Sequence, residues 1–147
     1  MILVDANLAI YAYNERDPRH ATARSWLEAS IGGSEPVGFA MVTLLAFVRI
    51  STDSRLHREP LSTATAFGII RSWLGHPNVR MVAPTERHWS TFEDVAAYGQ
   101  ARGPMLMDAH LAALAIEHGA TLATTDRDFS RFSGLRTIDP LATRPTG

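Results

Sequence analysis

Short apolar runs alternate with amphipathic stretches along the whole chain. Ile2-Leu3-Val4 ends on Asp5, and a helix-like spacing of Leu8, Ile10, Tyr11 and Tyr13 follows at once. An unbroken apolar run of this kind reads as a strand buried on both faces, as in parallel sheets. Residues 14–19 form a polar break. His20–Ile31 then places Ala23, Trp26, Leu27 and Ser30 on one helical face, and Gly32-Gly33-Ser34-Glu35-Pro36 stops it. Val37–Ala40 predicts a second strand, and residues 41–50 a buried helix with one arginine, Arg49.

After a charged loop at 53–60, Ser62 or Thr63 can cap a helix with Ala66, Phe67, Ile70, Trp73 and Leu74 on its apolar face. Val79–Val82 predicts a third strand, closed by Pro84. Thr85 suits the cap of a helix running to Arg102, with Trp89, Phe92, Val95 and Ala96 inward. Beyond the Gly103-Pro104 break, Asp108 opens a helix that is apolar nearly all round, and Gly119 fits its C′ position. Residues 121–124 predict a fourth strand, 126–132 a short turn or helix, and 135–138 an edge strand.

Strands alternating with helices predict an α/β fold, a central mainly parallel β-sheet flanked by α-helices. The length of 147 residues suits one domain, with a core over about residues 1–139 and a tail at 140–147. If parallel strands end on one side of the sheet, Asp5 lies at the carboxyl edge, where open α/β sheets place their binding crevice.

Composition narrows the chemistry. There is no cysteine, which excludes disulfides, thiolate metal sites and cysteine nucleophiles. All 14 basic residues are arginine, so P-loop and Schiff-base lysine chemistry are excluded too. Coding bias explains the missing lysine without altering that consequence. A net charge of −1 means that any nucleic-acid contact must come from local arginines or from a metal bridging to phosphate. No apolar run approaches the roughly 20 residues of a membrane span. No basic stretch precedes the opening apolar residues, so a cytoplasmic protein without a secretory leader is expected.

Three segments deliver acids: Asp5 after the first run, Asp108 after the glycine-proline break, and Asp126 after the fourth predicted strand. Singly, each suits a structural role, Asp5 and Asp108 as helix caps and Asp126 in a turn. Together they are expected to converge. Converging carboxylates repel unless a cation or proton is shared, and an all-oxygen donor set favours Mg²⁺ or Mn²⁺ over zinc. Such an ion acidifies water and stabilises charge on a phosphoryl oxygen, which implies phosphodiester hydrolysis.

The same segments carry a resemblance. Leu3-Val4-Asp5-Ala6-Asn7, the stretch from Asp108 to Ala115, and Leu122 to Phe129 resemble the first, third and fourth motifs of PIN-domain ribonucleases. The resemblance is to the VapC toxin branch of type II toxin–antitoxin systems and spans essentially the whole chain. It implies a single PIN-like domain acting as a Mg²⁺-dependent endoribonuclease, commonly a homodimer, neutralised by a cognate VapB-type antitoxin. It implies that Asp5 and Asp108 are the main metal ligands and that Asp126 completes the catalytic cluster, directly or through water. Asn7 would support Asp5, and Thr124 or Thr125 would hydrogen-bond a ligand or the attacking water.

One motif departs from the pattern. In Thr43-Leu44-Leu45-Ala46-Phe47-Val48-Arg49 the arginine is present, but Ala46 stands where the family usually carries a glutamate. Asp128 can substitute in part as a ligand, or cap the turn through Phe129. The departure opens an alternative, a catalytically weakened PIN-like module that binds RNA or protein. Arg49 is expected to contact phosphate or to pair with an acid near the site. Arg127 and Arg131 either grip the RNA backbone or lie on the solvated surface. His110, beside Asp108 in sequence, is expected in packing rather than as a ligand, because residues this close in sequence point to different sides of a helix. Trp26, Trp73 and Trp89 sit at core spacing. A haloacid-dehalogenase-like phosphohydrolase is disfavoured by Asn7 and by the missing lysine.

Overall fold

The structure, a computed structural model, describes residues 1–143; the last four residues of the expected tail lie outside that range. Five strands form one sheet: β1 (Ile2–Val4), β2 (Val37–Ala40), β3 (Val79–Val82), β4 (Thr121–Ala123) and β5 (Arg136–Ile138). Their order is β3-β2-β1-β4-β5, and every pairing is parallel. The helices are α1 (Ala6–Ala12), α2 (His20–Ile31), α3 (Met41–Ser51), α4 (Thr63–Leu74), α5 (His88–Tyr98) and α6 (Met105–Glu117), with a 3-10 helix at Arg127–Arg131.

The chain winds outward from β1 through β2 to β3, then returns to lay β4 on the other side of β1. Strand order therefore reverses between β1 and β4. Successive side chains of a strand point to opposite faces, and two cores follow. Val4, Val37, Phe39, Val79 and Ala123 pack under α1–α4. Leu3, Ala40, Val82 and Leu122 pack under α5, α6 and the 3-10 helix. The first core centres on Phe39, whose ring stacks on Trp73 at 4.9 Å, with Phe47 and Tyr13 around them. Gly38 is required on the opposite face of β2, since a Cβ there would meet the Val82 side chain at 2.6 Å.

Several boundaries differ from the sequence expectation. α5 starts at His88 rather than beside Thr85 and stops at Tyr98, short of Arg102. It stops because Gln100 turns left-handed (φ 53°) while the amides of Gln100 and Ala101 close back on Ala97 and Ala96, the Schellman pattern of a helix end. α6 starts at Met105, so Asp108 lies within its first turn rather than at its cap. Gly119 occupies the C′ position with φ 62°, as expected. Three residues placed inward by spacing face out, Leu74 (38% exposed) among them. Trp89 is 67% exposed, its indole N–H bonded to Glu93 one turn on, and Phe67 is 49% exposed. β4 ends at Ala123, leaving Thr124 just beyond it.

Candidate functional site

Backbone hydrogen bonding carries the sheet one residue past its strands. The Asp5 amide donates to the Ala123 carbonyl (3.0 Å), and the Thr124 amide to that of Ile138 (2.9 Å). Asp5 is thus fixed in extended backbone (φ −76°, ψ 145°) on the face of Leu3, as Thr124 is on the face of Leu122. The two side chains meet across the β1–β4 junction, where Thr124 Oγ1 donates to Asp5 Oδ2 at 2.7 Å. The same hydroxyl oxygen accepts from the Asp126 amide (3.0 Å), and Asp126 Oδ1 accepts from the Asp128 amide (2.9 Å). Asp5 precedes α1 but makes no capping hydrogen bond with its side chain. Its carboxylate is committed to the junction instead.

Asp108 approaches from α6. Ala112 and Ala115, one and two turns on, share its helical face and are fully buried, so small side chains let this helix lie close to the sheet. The electrostatics record the convergence. The Asp108 carboxyl is pushed up to about 6, first by burial and then by the charges of Asp126, Asp5 and Asp128. Asp5 is also raised: burial dominates and the charge of Asp126 adds to it, against the Thr124 hydroxyl and the amides of Ala6 and Asn7, which lower it. The charges of Asp126 and Asp5 thus reach Asp108, and Asp128 lies at the edge, exposed to solvent.

This donor set is wholly oxygen, repels itself and is half open to water. Among the described residues, no three His, Cys, Asp or Glu side chains are gathered tightly enough to hold an ion by themselves. The arrangement fits a hard cation that keeps several waters and takes one or two carboxylates, as Mg²⁺ does, rather than a full protein cage. Asp5 and Asp108 could hold such an ion, with Asp126 alongside. A cleft of about 300 Å³ adjoins, lined by Thr124, Thr125, Asp126, Arg127, Ser130, Thr137 and Asp139. Another, of about 430 Å³, is lined by residues 13–16, 56–59 and 61, and includes none of the three acids.

The remaining expected residues divide. Asn7 reaches Asp5 through its backbone amide, not its side chain, which is exposed. Thr125 and Arg127 line the cleft. Arg49 is not brought to the acids: it is exposed on the last turn of α3, and its charge acts on Asp53. Ala46 is half-buried one turn earlier. Arg131 is not a solvated surface charge, since its Nη1 donates to the Gly99 carbonyl (3.2 Å).

His110 is indeed a packing residue, and it belongs to a network that spacing did not reveal. His88 Nδ1 lies 2.9 Å from Glu117 Oε2, and His88 Nε2 lies 2.8 Å from His110 Nδ1. Glu117 also accepts from the Thr85 amide (3.0 Å), and its side chain is only 2% exposed. Burial lowers the pKa of His110, and the neighbouring His88 lowers it further. The network joins α5 to α6 on the side of α6 away from Asp108. Its only trace in the sequence is the spacing of His110 and Glu117 at i, i+7.

A parallel α/β domain with carboxylates gathered at its switch point is the class defined by fold and site together. The family model of the PIN domain matches residues 2–135. The chain belongs to the PIN-domain family, in its VapC branch. Ribonuclease VapC37 of Mycobacterium tuberculosis is 40% identical over 142 residues, covering 97% of this chain and 99% of the relative. VapC ribonuclease Mb2897 of Mycobacterium bovis is 38% identical over 141 residues, 96% of each chain. Among solved structures, VapBC2 from Rickettsia felis superposes with a TM-score of 0.67 at 16% identity, covering 94% of this chain and 98% of that one. VapC20 of Mycobacterium tuberculosis does so with a TM-score of 0.64 at 22% identity, covering 92% and 99%. These two structures speak to the fold.

Proposed function

We propose that this chain is the toxin of a type II toxin–antitoxin pair and acts as a Mg²⁺-dependent endoribonuclease on RNA phosphodiester bonds. The observation that carries the reading is the convergence of Asp5, Asp108 and Asp126 at the β1–β4 switch point, with Asp5 pinned by Thr124. Relatives that align over nearly their whole length bear the name ribonuclease, which supports it. Thr124 holds Asp5 by Oδ2, and the Asp5 carboxylate would be a ligand of the ion. Asp108 supplies the second carboxylate, its pKa raised by burial and by the neighbouring acids. Asp126, tied through its own amide to Thr124, keeps the cluster in register. Bound there, Mg²⁺ or Mn²⁺ supplies an acidified water and positive charge for the scissile phosphate. Arg127, exposed in the lining of the cleft, would meet the RNA backbone.

The antitoxin partner is supported by structural neighbours that are toxin–antitoxin complexes. Met41 and Leu45 on α3 and Phe67 and Leu74 on α4 leave apolar side chains in solvent, as a protein-binding surface does. A homodimer and a small antitoxin are the partners expected; light scattering of the native complex checks both. Among the described residues, no helix is long and apolar enough to cross a membrane.

The deciding experiment compares wild type and Asp5→Ala on total cellular RNA with Mg²⁺, with Mn²⁺ and with EDTA. Discrete fragments that require both metal and Asp5 are expected, and cleavage undiminished in EDTA would refute the proposal. The second reading, a weakened PIN-like binding module, draws on Ala46 and on the absence, among the described residues, of a ready-made three-residue chelate. It predicts RNA binding without cleavage by folded, antitoxin-free protein.

A further inference from the structure

The turn between α5 and α6 is gripped from both sides by the end of the 3-10 helix. Upstream, Gly99 is buried as the C-cap of α5, and a Cβ there would lie 2.6 Å from the Phe132 ring. The Arg131 guanidinium donates to the Gly99 carbonyl (3.2 Å). Downstream, the same Nη1 rests on the thioether of Met105, the first residue of α6. Arg131 Nε is buried and has no hydrogen-bond partner among the described residues. An enclosed, unsatisfied donor is costly, so this side chain is held where it is by its other contacts. The gripped elements carry the acids. Asp126 begins the 3-10 helix, and Asp108 lies one turn into α6, three residues beyond Met105.

We propose that Arg131 is a positioning residue that clamps the α5–α6 turn to the 3-10 helix and so sets Asp108 against Asp126 for metal binding. This rests on the reading of the acids as a metal centre. Geometry and charge make opposite predictions for it. The guanidinium is near enough for its positive charge to act on Asp108. Were charge its whole effect, removing it would tighten the binding of a cation. Were the clamp its role, removing it would loosen that binding.

The test is calorimetric titration of Mg²⁺ and Mn²⁺ into the purified toxin, free of antitoxin, as wild type, Arg131→Met, Arg131→Lys and Gly99→Ala. Gly99→Ala forces the Phe132 ring off the turn while leaving the Arg131 charge in the chain. Outer residues that orient ligands typically change metal affinity by about 10-fold or more. That loss is expected in Arg131→Met and Gly99→Ala alike, with partial recovery in Arg131→Lys, which can still donate to the Gly99 carbonyl. Unchanged or tighter binding in Arg131→Met overturns the proposal. So does a loss in Arg131→Met that Gly99→Ala does not share, because Arg131 would then act without the turn. If wild type binds neither ion, the metal reading itself has failed. The clamp is then judged by amide hydrogen exchange over residues 99–112, expected to quicken in both variants; unchanged exchange overturns it.

Discussion

Asp108→Asn should make the metal-free protein more stable while abolishing its response to metal. The Asp108 carboxyl moves from 3.8 to about 6 on folding, a displacement of about 2 pH units, and each unit corresponds to about 1.4 kcal/mol. The group is partly exposed to solvent, which screens the neighbouring charges, so the usable figure is on the order of 1 kcal/mol rather than about 3. For a chain of this length that is a rise in Tm of about 2–4 °C. The sign follows from proton uptake. The folded state binds the proton more tightly than the unfolded one, so this group favours folding at low pH. That contribution is lost as pH rises through about 6. Thermal denaturation in EDTA at pH 7.5 should therefore show Asp108→Asn above wild type. At pH 4 most of the gap should have closed, because Asp108 is then protonated in the fold and close to half protonated in the unfolded chain. Saturating Mg²⁺ should reverse the order at pH 7.5 by stabilising wild type alone. A variant no more stable than wild type in EDTA at pH 7.5, or equally advantaged at pH 4, would refute the account of convergent charge.

Thr124→Val removes the hydroxyl that donates to Asp5 and leaves a buried carboxylate oxygen unsatisfied, a loss of about 1–3 kcal/mol in urea denaturation. The same change should shift the acid limb of metal binding to higher pH, because the lost hydrogen bond was holding the Asp5 carboxyl down. His88→Ala strands Glu117 in the α5–α6 interface; about 2 kcal/mol should be lost in the same assay, whereas Glu117→Gln, which keeps an acceptor there, should lose less. Gly38→Ala should destabilise by about 1–3 kcal/mol through overpacking against Val82, with unchanged metal affinity per folded molecule.

The fold was largely legible because its central strands β1 and β2 are apolar on both faces. Ile2–Val4, Val37–Ala40 and Val79–Val82 occur in the sequence as short runs closed by aspartate, a helix and proline, and the structure places a strand on each. Helix ends were less legible where a general residue does a special residue's work. Gln100 takes the left-handed C′ position that glycine usually fills, so α5 appeared to continue to Arg102. Exposure misled at Trp89 and Phe67, because helical spacing identifies a stripe but not what covers it. Arg131 and the Glu117–His88–His110 network were illegible for another reason. Each depends on long-range packing, 32 residues from Arg131 to Gly99 and 29 from His88 to Glu117, which no local pattern encodes.

The acids could be read because sheet topology makes their meeting place a consequence of strand order. Asp5 follows β1 and Asp126 follows β4, and these strands are neighbours only because the winding reverses between them. No crossover helix covers the carboxyl end of that junction, so a crevice forms there in any sheet of this order. Thr124 then converts proximity into a fixed contact: it faces the same side as Asp5, one residue beyond paired strands of matching register. Moving the register by one residue would turn Thr124 to the other face and break the contact. Deleting Ala123 should therefore abolish metal binding even if β4 re-pairs and the domain folds. Calorimetry on the folded fraction checks this, and metal affinity within about threefold of wild type would show that strand register does not set the site.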